Sequence, residues 1–132
     1  MKFTKTIPLL VYRDIAAAHA FLVDAFGFTD GGLDTGKDGR VVHGEVTIGD
    51  TTVWLHREVD EFSLASPLGL AQKHGGLVVQ VDDVAAHYAR AVKAGAAVEG
   101  EPEQMPYGQR EYRARDLEGH LWWFAEPSAP SD

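Results

Sequence analysis

The first half of the chain reappears in outline 69 residues later. Asp14 stands before an alanine-rich amphipathic segment, and Asp83 stands before a second one. Trp54, near the end of an apolar run, has its counterpart in Trp123. A constant offset at both a helix start and a late strand indicates one supersecondary unit used twice. The chain is therefore restricted to folds with two similar halves, each with a large aromatic side chain at the same point.

Local signals in the first half predict a strand, a helix and three further strands. A short apolar run at 7–12 precedes Asp14, which is a good helix N-cap, and Gly27 is a typical helix stop. The apolar residues between Asp14 and Gly27 repeat with the period of a helix. The later strands are expected at 28–34, 41–48 and 51–56, the last two joined by a tight turn.

The second half repeats this order of elements. Asp83 caps its helix and Gly95 ends it. Its strands are expected at 77–81, 97–100, 109–115 and 120–125, with a loop at 101–108. We therefore predict an α+β fold in which two βαβββ modules form curved mixed sheets, or open half-barrels, with the helices outside.

The length of 132 residues fits a single domain. Within this domain the first module is expected at 5–58 and the second at 76–126, joined by an irregular connector at 59–75. Residues 127–132 are expected to form a polar tail.

Composition excludes several classes of protein. The chain has no cysteine, which rules out disulfide scaffolds, thiolate metal sites and a cysteine nucleophile. No apolar run is long enough to span a membrane, and no apolar signal core is present, so a cytoplasmic protein is expected. The net charge of -8 argues against nucleic acid as a partner. The same charge is compatible with a cationic ligand, although it also serves solubility.

Side-chain alternation along strands assigns faces to the paired aromatic residues. If Trp54 lies on the concave face, Thr52 and His56 lie there too, whereas Trp122 next to Trp123 packs against a helix. The other residues predicted on the concave faces are Leu121, Trp123 and Ala125 in the last strand, and Ile7, Leu9, Val11, Gly76, Val78 and Gln80 in the two first strands.

Several short motifs occur in a characteristic order along the chain. They are Pro8-Leu9-Leu10-Val11-Tyr12-Arg13-Asp14, Phe26-Gly27-Phe28, Val81-Asp82-Asp83-Val84, Tyr107-Gly108-Gln109-Arg110 and Asp116-Leu117-Glu118-Gly119-His120-Leu121-Trp122. In these motifs the chain resembles the vicinal oxygen chelate superfamily, also called the glyoxalase/bleomycin resistance protein/dioxygenase superfamily, from Ile7 to Glu126. The last motif is similar to the family's D-P-x-G-N/H turn, with Leu117 in place of proline.

The resemblance also implies where a metal would bind. Enzymes of the family place His, Gln or Glu ligands at four matched inner positions, which fall here on Ile7, Trp54, Gly76 and Trp123. None of these side chains can bind a metal. We therefore expect no metal and no cofactor, and a closer similarity to members that bind a molecule without reacting with it, such as bleomycin and mitomycin resistance proteins. Metal-free relatives of unknown role are equally similar.

Trp54 and Trp123 are the main candidate ligand-binding residues. Two indoles can stack on a planar, heteroaromatic or cationic molecule. Alternatively, both rings simply fill the volume that a metal site occupies in relatives.

The polar candidates lie near these two residues in the predicted sheets. His43 and Glu45 share a strand face, and His56 lies two residues from Trp54. Tyr112 follows His43 by the repeat offset, so both are expected to face one cavity. Tyr107 and Arg110 lie in or beside a loop that touches ligand in relatives, and Gln80 shares a predicted face with Val78. The alternative is that these are ordinary half-exposed strand and turn residues.

We therefore predict a metal-free protein that binds a small planar or cationic aromatic molecule, with drug sequestration as one use. A homodimer is expected from the resemblance, because in relatives two chains pair and ligands lie at clefts near the interface. The alternative is a metal-dependent lyase, isomerase or dioxygenase with displaced ligands such as His43, Glu45 and His56. A regulatory domain without a small ligand is the third possibility.

Overall fold

Two mixed sheets and two helices, as predicted, make up residues 1–128, which are the part of the chain that this computed structural model describes. The elements of the first half are β1 (Leu9–Tyr12), α1 (Ile15–Asp24), β2 (Thr29–Thr35), β3 (Val41–Ile48) and β4 (Thr51–Arg57). Those of the second half are β5 (Gly76–Gln80), α2 (Val84–Lys93), β6 (Ala97–Val98), β7 (Glu103–Met105), β8 (Gln109–Arg115) and β9 (Leu121–Pro127).

The two sheets share one topology. The first has the strand order β1-β4-β3-β2, and the second has the order β5-β9-β8-β6, with β7 also paired to β8. In each sheet the first strand runs parallel to the last, through the β1–β4 and β5–β9 pairs, and the remaining pairs are antiparallel. Neither sheet closes on itself, so the predicted α+β architecture with unclosed sheets is confirmed.

Two details differ from the sequence-based expectation. The strand predicted at 97–100 is limited to Ala97–Val98, and the segment predicted as a loop at 101–108 contains β7. The polar tail predicted from residue 127 begins one residue too early, because β9 ends at Pro127 and the Ser128 amide donates to the Gly108 carbonyl at 2.9 Å. The rest of that predicted tail, 129–132, lies outside the described residues.

Both helices begin at the predicted N-caps. The Asp14 carboxylate accepts a hydrogen bond from the Ala17 amide at 3.0 Å, and the Asp83 carboxylate accepts one from the Ala86 amide at the same distance. Each bond satisfies an amide that the first helical turn leaves free. The repeat offset therefore holds at the level of hydrogen bonds as well as residue types.

The helix-facing sides of both sheets meet in one hydrophobic core. Val53 and Leu55 of the first sheet and Trp122 and Phe124 of the second are fully buried within it. Phe26, just after α1, packs edge-on against both Trp122 and Phe124, at ring-centroid distances of 6.0 and 4.8 Å. Trp122 therefore takes the helix-facing position that strand alternation predicted.

The loop between β8 and β9 ties the second half to the first through a buried carboxylate. The Asp116 side chain accepts hydrogen bonds from the Tyr12 hydroxyl, the Trp122 indole nitrogen at 3.1 Å, and the amides of Glu118 and His120 at 3.1 Å each. Burial and the adjacent Asp116 carboxylate raise the pKa of Tyr12 well above its usual value. Tyr12 therefore stays protonated and remains a donor to Asp116.

A second buried carboxylate in the same loop completes this connection. Glu118 accepts hydrogen bonds from the Arg13 amide at 2.7 Å, the Asp14 amide at 2.8 Å and the Ser66 hydroxyl. These donors lie between β1 and α1 and in the connector, so Glu118 joins three segments of the chain. The two buried carboxylates therefore find hydrogen-bond partners both within their own loop and in the first half of the chain.

The second helix also contacts the end of the first. Arg90 donates through Nε to the Asp24 carbonyl at 3.3 Å, next to the last turn of α1. His87 binds the Phe26 carbonyl at 2.8 Å through Nε2 and the Tyr112 hydroxyl at 2.6 Å through Nδ1. Burial lowers the pKa of His87, the bond to Phe26 acts in the opposite direction, and the Arg90 cation lowers it further.

The offset of 69 residues holds for the helices and for the two parallel strand pairs, but not for β8 or for β6, which pairs with it. Trp54 lies beside Leu9 on one side and Glu45 on the other, and Trp123 lies beside Val78 and Arg113. Thus β1 and β4 map onto β5 and β9 with an offset of 69, but β3 maps onto β8 with an offset of 68.

The turn that precedes the last strand of each sheet restores the offset of 69. Two residues separate the paired Ile48 and Thr51, whereas three separate Asp116 from His120, whose carbonyl accepts from the Asp116 amide at 3.0 Å. The extra residue moves β8 by one position relative to β9. A one-residue shift exchanges the faces on which a strand's side chains lie.

Candidate functional site

Each sheet has a second face that the helices do not cover. We call the uncovered face of the first sheet the first open face, and it carries Leu9, His43, Glu45, Trp54 and His56. The corresponding face of the second sheet, the second open face, carries Gly76, Val78, Gln80, Glu111, Arg113 and Trp123. Large apolar side chains remain accessible on both, with Leu9 39%, Trp54 37% and Val78 59% exposed. Exposed clusters of this kind are typical of surfaces that bind a ligand or another chain.

The two open faces do not face each other within one chain. The opposite side of each sheet contributes to the shared core, through Leu55 in the first sheet and Phe124 in the second. Both open faces are therefore directed away from that core. Trp54 and Trp123 therefore lie on separate surfaces of the chain.

Trp54 lies among imidazole and carboxylate groups on the first open face. The His43 ring meets the indole edge-on, with centroids 5.4 Å apart and an interplanar angle of 78°. The Glu45 carboxylate lies on the strand next to Trp54 and contacts His43 Nε2 at 3.1 Å. His56 is the cross-strand neighbour of His43, and its Nδ1 lies 2.7 Å from the Arg57 carbonyl. The structure therefore brings three of the predicted polar residues together with Trp54.

Trp123 lies between a glycine and a guanidinium on the second open face. A Cβ atom at Gly76 would come within 2.6 Å of the indole carbon Cζ3, so Trp123 occupies the space that any larger residue at 76 would need. The Arg113 guanidinium lies over the indole, 5.9 Å from the ring centroid, within the range of a cation–π interaction.

A shared carboxylate holds Arg113 in this position. Glu99 binds Arg113 Nε and also Arg115 Nε, the latter at 2.6 Å. Burial opposes ionisation of Glu99, but the hydrogen bonds from Arg115 and Arg113 outweigh it and hold the pKa of Glu99 below its usual value. Glu99 is therefore ionised at neutral pH and keeps the guanidinium over the ring.

The prediction that Tyr112 shares a cavity face with His43 is wrong. Tyr112 is 3% exposed and lies on the helix-facing side, where its hydroxyl contacts His87 and its ring lies 5.5 Å from Phe124. Burial raises the pKa of the Tyr112 hydroxyl well above its usual value. The one-residue shift of β8 is the reason, because the true counterpart of His43 is Glu111.

Three other predicted residues occupy different parts of the second sheet. Gln80, at the end of β5, lies on the second open face as expected. Arg110 shares its parity with Tyr112, so it lies on the opposite side of β8 from Trp123. Tyr107 is 62% exposed and its hydroxyl donates to the Glu111 carboxylate, which raises the pKa of Tyr107.

Arg113 and Glu99 are the residues of this site that sequence reasoning missed. If the offset of 69 also held in β8, Ala114 would correspond to Glu45, and Arg113 would be predicted on the helix-facing side. Glu99 lies in a short strand extension where its amide donates to the Arg113 carbonyl at 2.8 Å. The longer turn at 117–119, compared with 49–50, is the one sequence signal that could have identified them.

Comparison with protein families identifies the fold and its class. A family model described as the Glyoxalase/Bleomycin resistance protein/Dioxygenase superfamily matches residues 6–124. The chain belongs to this superfamily. An uncharacterized protein of Mycobacterium bovis is 32% identical to it over 123 residues, which cover 91% of this chain and 81% of the relative.

Two solved structures are similar to this chain over nearly its whole length. TioX from Micromonospora sp. ML1 has a TM-score of 0.75 and 30% identity, covering 95% of this chain and 99% of TioX. TnmS3, an antibiotic binding protein from Streptomyces sp. CB03234, has a TM-score of 0.74 and 26% identity, covering 96% of this chain and 98% of TnmS3.

The metal positions of the superfamily's enzymes do not fit a metal in this chain. Trp54 and Trp123 offer no suitable lone pair, Ile7 is aliphatic, and the space beside Gly76 is filled by the Trp123 ring. In the displaced set, His43 Nε2 contacts the Glu45 carboxylate at 3.1 Å, whereas His56 Nδ1 is directed to the Arg57 carbonyl at 2.7 Å. Residues 1–128 contain no group of three or more His, Asp or Glu side chains that could hold a metal ion.

A groove on the single chain includes part of the second open face but neither tryptophan. A groove of about 590 Å³ runs between the β3–β4 turn and β5, and is lined by residues from Ile48 to Thr51 and from Leu77 to Gln80. Neither Trp54 nor Trp123 lines it. Each indole is instead part of an open sheet surface.

The described residues also bear on membrane association. The two helices contain ten residues each, and no helix in the described range is long and apolar enough to cross a membrane.

Proposed function

We propose that this protein binds a small planar aromatic molecule between Trp54 and Trp123 without a metal ion, and that it acts by sequestration. The observation that carries the proposal is the pair of accessible indoles at two of the superfamily's metal positions. Each indole offers a flat apolar surface of the kind on which aromatic ligands stack. The similarity to TnmS3, an antibiotic binding protein, supports a small-molecule ligand of this class.

Sequestration requires affinity but no turnover. The open faces contain no nucleophile activated by a base, and the His43–Glu45 pair lies beside an indole rather than beside a polarising group. We therefore expect these surfaces to bind a ligand mainly through aromatic stacking and burial of apolar area. A cytoplasmic location, expected from the sequence, suits such a role.

The proposal includes a homodimer, because Trp54 and Trp123 lie on separate open faces within one chain and so do not form the two walls of one site. Exposed Leu9 and Trp54 on the first open face, and Val78 on the second, are apolar surfaces that a partner copy would cover. In the proposed dimer, the first open face of one protomer lies opposite the second open face of the other. Sedimentation equilibrium tests this arrangement, and a monomer at micromolar concentration contradicts it.

Tryptophan fluorescence tests ligand binding directly. We expect bleomycin or a flat polycyclic probe such as pyrenemethanol to change the emission of the wild-type protein. Trp54→Leu and Trp123→Leu should each weaken binding at least tenfold, whereas the buried Trp122 remains as an internal reference. Unchanged emission with every probe, together with purely destabilising effects of both substitutions, would show that the indoles only fill space.

Elemental analysis tests the alternative of a metal enzyme. We expect no stoichiometric Zn, Ni, Mn or Fe in protein purified without chelator. Stoichiometric metal that is lost in His56→Ala, but retained in His74→Ala, would contradict the proposal.

A further inference from the structure

The charged cross-strand neighbour of the tryptophan differs in sign between the two open faces. Glu45 is the cross-strand neighbour of Trp54, and Arg113 is the cross-strand neighbour of Trp123. These two positions correspond once the one-residue shift of β8 is included. The two surfaces are therefore equivalent in geometry but opposite in local charge.

On the first open face, the carboxylate leaves the indole available to a cation. Glu45 contacts only the His43 imidazole, at 3.1 Å, and its side chain is 36% exposed. An ammonium or protonated ring nitrogen placed over Trp54 gains both the cation–π attraction and the nearby negative charge. Asp34, opposite His43 on β2, adds a second carboxylate. Lys5 brings one positive charge to the edge of this face, where it donates to the Thr52 hydroxyl at 3.2 Å.

On the second open face, a protein cation already occupies the cation site. Arg113 lies 5.9 Å from the Trp123 centroid and is fixed by Glu99. A cationic ligand at Trp123 would meet like charge, whereas a carboxylate, sulfonate or phenolate could accept hydrogen bonds from the free guanidinium nitrogens. Glu111 lies on the same strand face, but its carboxylate is bound by Tyr107 and Gln109.

We propose that the ligand is an amphoteric flat aromatic molecule whose cationic or hydrogen-bond-donating end lies on Trp54 beside Glu45, and whose anionic or acceptor end lies on Trp123 beside Arg113. This inference rests on the proposed function, because it assigns the chemistry of the same two surfaces. It goes further by fixing the direction in which a ligand lies between them.

Three pyrenes that carry a cationic, a neutral or an anionic substituent test the assignment. The probes are 1-pyrenemethylammonium, 1-pyrenemethanol and 1-pyrenesulfonate, and binding is followed by energy transfer from tryptophan to pyrene. In Trp123→Leu, which retains Trp54, the cationic probe should bind about fivefold more tightly than the anionic one. In Trp54→Leu, which retains Trp123, the order should reverse by a similar factor.

Charge-removing variants then assign each preference to its residue. Glu45→Gln in the Trp123→Leu background, and Arg113→Gln in the Trp54→Leu background, should each abolish the corresponding preference. Two matched controls remove equal charges elsewhere. Asp50→Asn changes the turn of the same hairpin as Glu45, and Arg110→Gln changes the opposite side of the same strand as Arg113. Neither control should alter the ratio by more than about twofold.

The possible failures are distinguishable. If none of the pyrenes binds the wild-type protein, both the proposed function and this inference are overturned. If all three bind and depend on the tryptophans, but the charge preference is absent or survives Glu45→Gln and Arg113→Gln, only the inference is overturned. Circular dichroism of each variant confirms that a lost preference is not lost folding.

Discussion

The first and second open faces start from the same supersecondary unit and end with different chemistry. Both present a tryptophan at the same point of the last strand, next to an apolar residue of the first strand. The neighbour on the other side is a carboxylate in one case and a guanidinium in the other. A duplicated fold therefore fixes where an aromatic surface lies, whereas the register of a single neighbouring strand decides what charge accompanies it.

The turns that precede the two tryptophan strands differ just as much. The turn between β3 and β4 contains Gly49 and Asp50, and Asp50 is exposed. The loop between β8 and β9 contains the buried Asp116 and Glu118, which bind groups from the first half of the chain. One connection serves only its own hairpin, while the other also holds the two halves together.

The largest expected effect therefore comes from Asp116→Ala. Removing this carboxylate leaves the Tyr12 hydroxyl and the Trp122 indole nitrogen as buried donors without an acceptor. Each unsatisfied donor costs about 1–3 kcal/mol, so the free energy of unfolding should fall by roughly 3 kcal/mol or more. Urea denaturation measures this change. Asp50→Ala, at the corresponding turn, should change stability by less than about 0.5 kcal/mol, and an equal loss in both variants would remove the proposed distinction between the turns.

Gly76→Ala is expected to have the next largest effect. The added Cβ would lie 2.5 Å from the Leu121 carbonyl oxygen and 2.6 Å from Trp123 Cζ3, so both the strand and the indole must move. We expect a loss of about 1–3 kcal/mol in the free energy of unfolding, together with a shift in Trp123 emission. Val78→Ala, on the same strand and face, tests whether any change in β5 has this result. A Trp123 emission that is unaffected by Gly76→Ala would contradict the packing described for the second open face.

His87 is expected to give a smaller effect that depends on pH. It has no counterpart in the first half, where Ala18 occupies the equivalent helix position. Because burial lowers its pKa in the folded state, the unfolded chain binds the additional proton as pH falls below about 6.5. The free energy of unfolding should therefore decrease as pH falls through that range, by at most about 1.4 kcal/mol per pH unit, and should be independent of this group at higher pH. His87→Gln should reduce the slope measured by chemical denaturation at a series of pH values, whereas an unchanged slope would assign it to other histidines.

Glu99→Gln is expected to have the smallest effect on stability and a local effect on Trp123. Glu99 holds both Arg113 and Arg115, and its pKa is below the usual value for the reasons given above. Any stability from this carboxylate is present above the unfolded pKa and is lost as pH falls through the lower folded pKa. In Trp54→Leu protein, Trp123 emission should consequently change in acid below pH about 4, and Glu99→Gln should remove that transition. Glu101→Gln is a nearby control, and a transition that persists in Glu99→Gln would show that Arg113 is held by other groups.

Much of the fold was predictable because its signals are local. Asp14 and Asp83 are N-caps whatever the rest of the chain does, and alternation correctly placed Trp122 and Trp123 on opposite faces of β9. These properties depend on a few neighbouring residues, so the sequence contains them directly. The superfamily could also be recognised, since its motifs occur in order along nearly the whole chain.

The environment of Trp123 was not predictable by the same means. The face that β8 presents depends on its register with β9, and the register depends on how the intervening turn is hydrogen-bonded. Assigning Tyr112 to the ligand side required an exact offset across a turn that is one residue longer than its counterpart. The placement of Trp54 and Trp123 on separate faces was likewise not predictable from the sequence, because it depends on how the two modules pack against each other.

The three-residue turn at 117–119 has a consequence for how such proteins diversify after gene duplication. Inserting or deleting one residue in this turn leaves the sequence of β8 unchanged. It nevertheless turns the solvent-facing side chains of β8 toward the core and the core-facing side chains toward solvent. Point substitutions would have to accumulate at several positions of β8 to produce a similar exchange of its two faces. Turn length is therefore a variable that library design on this scaffold can sample separately from residue identity, with β9 and its tryptophan left in place.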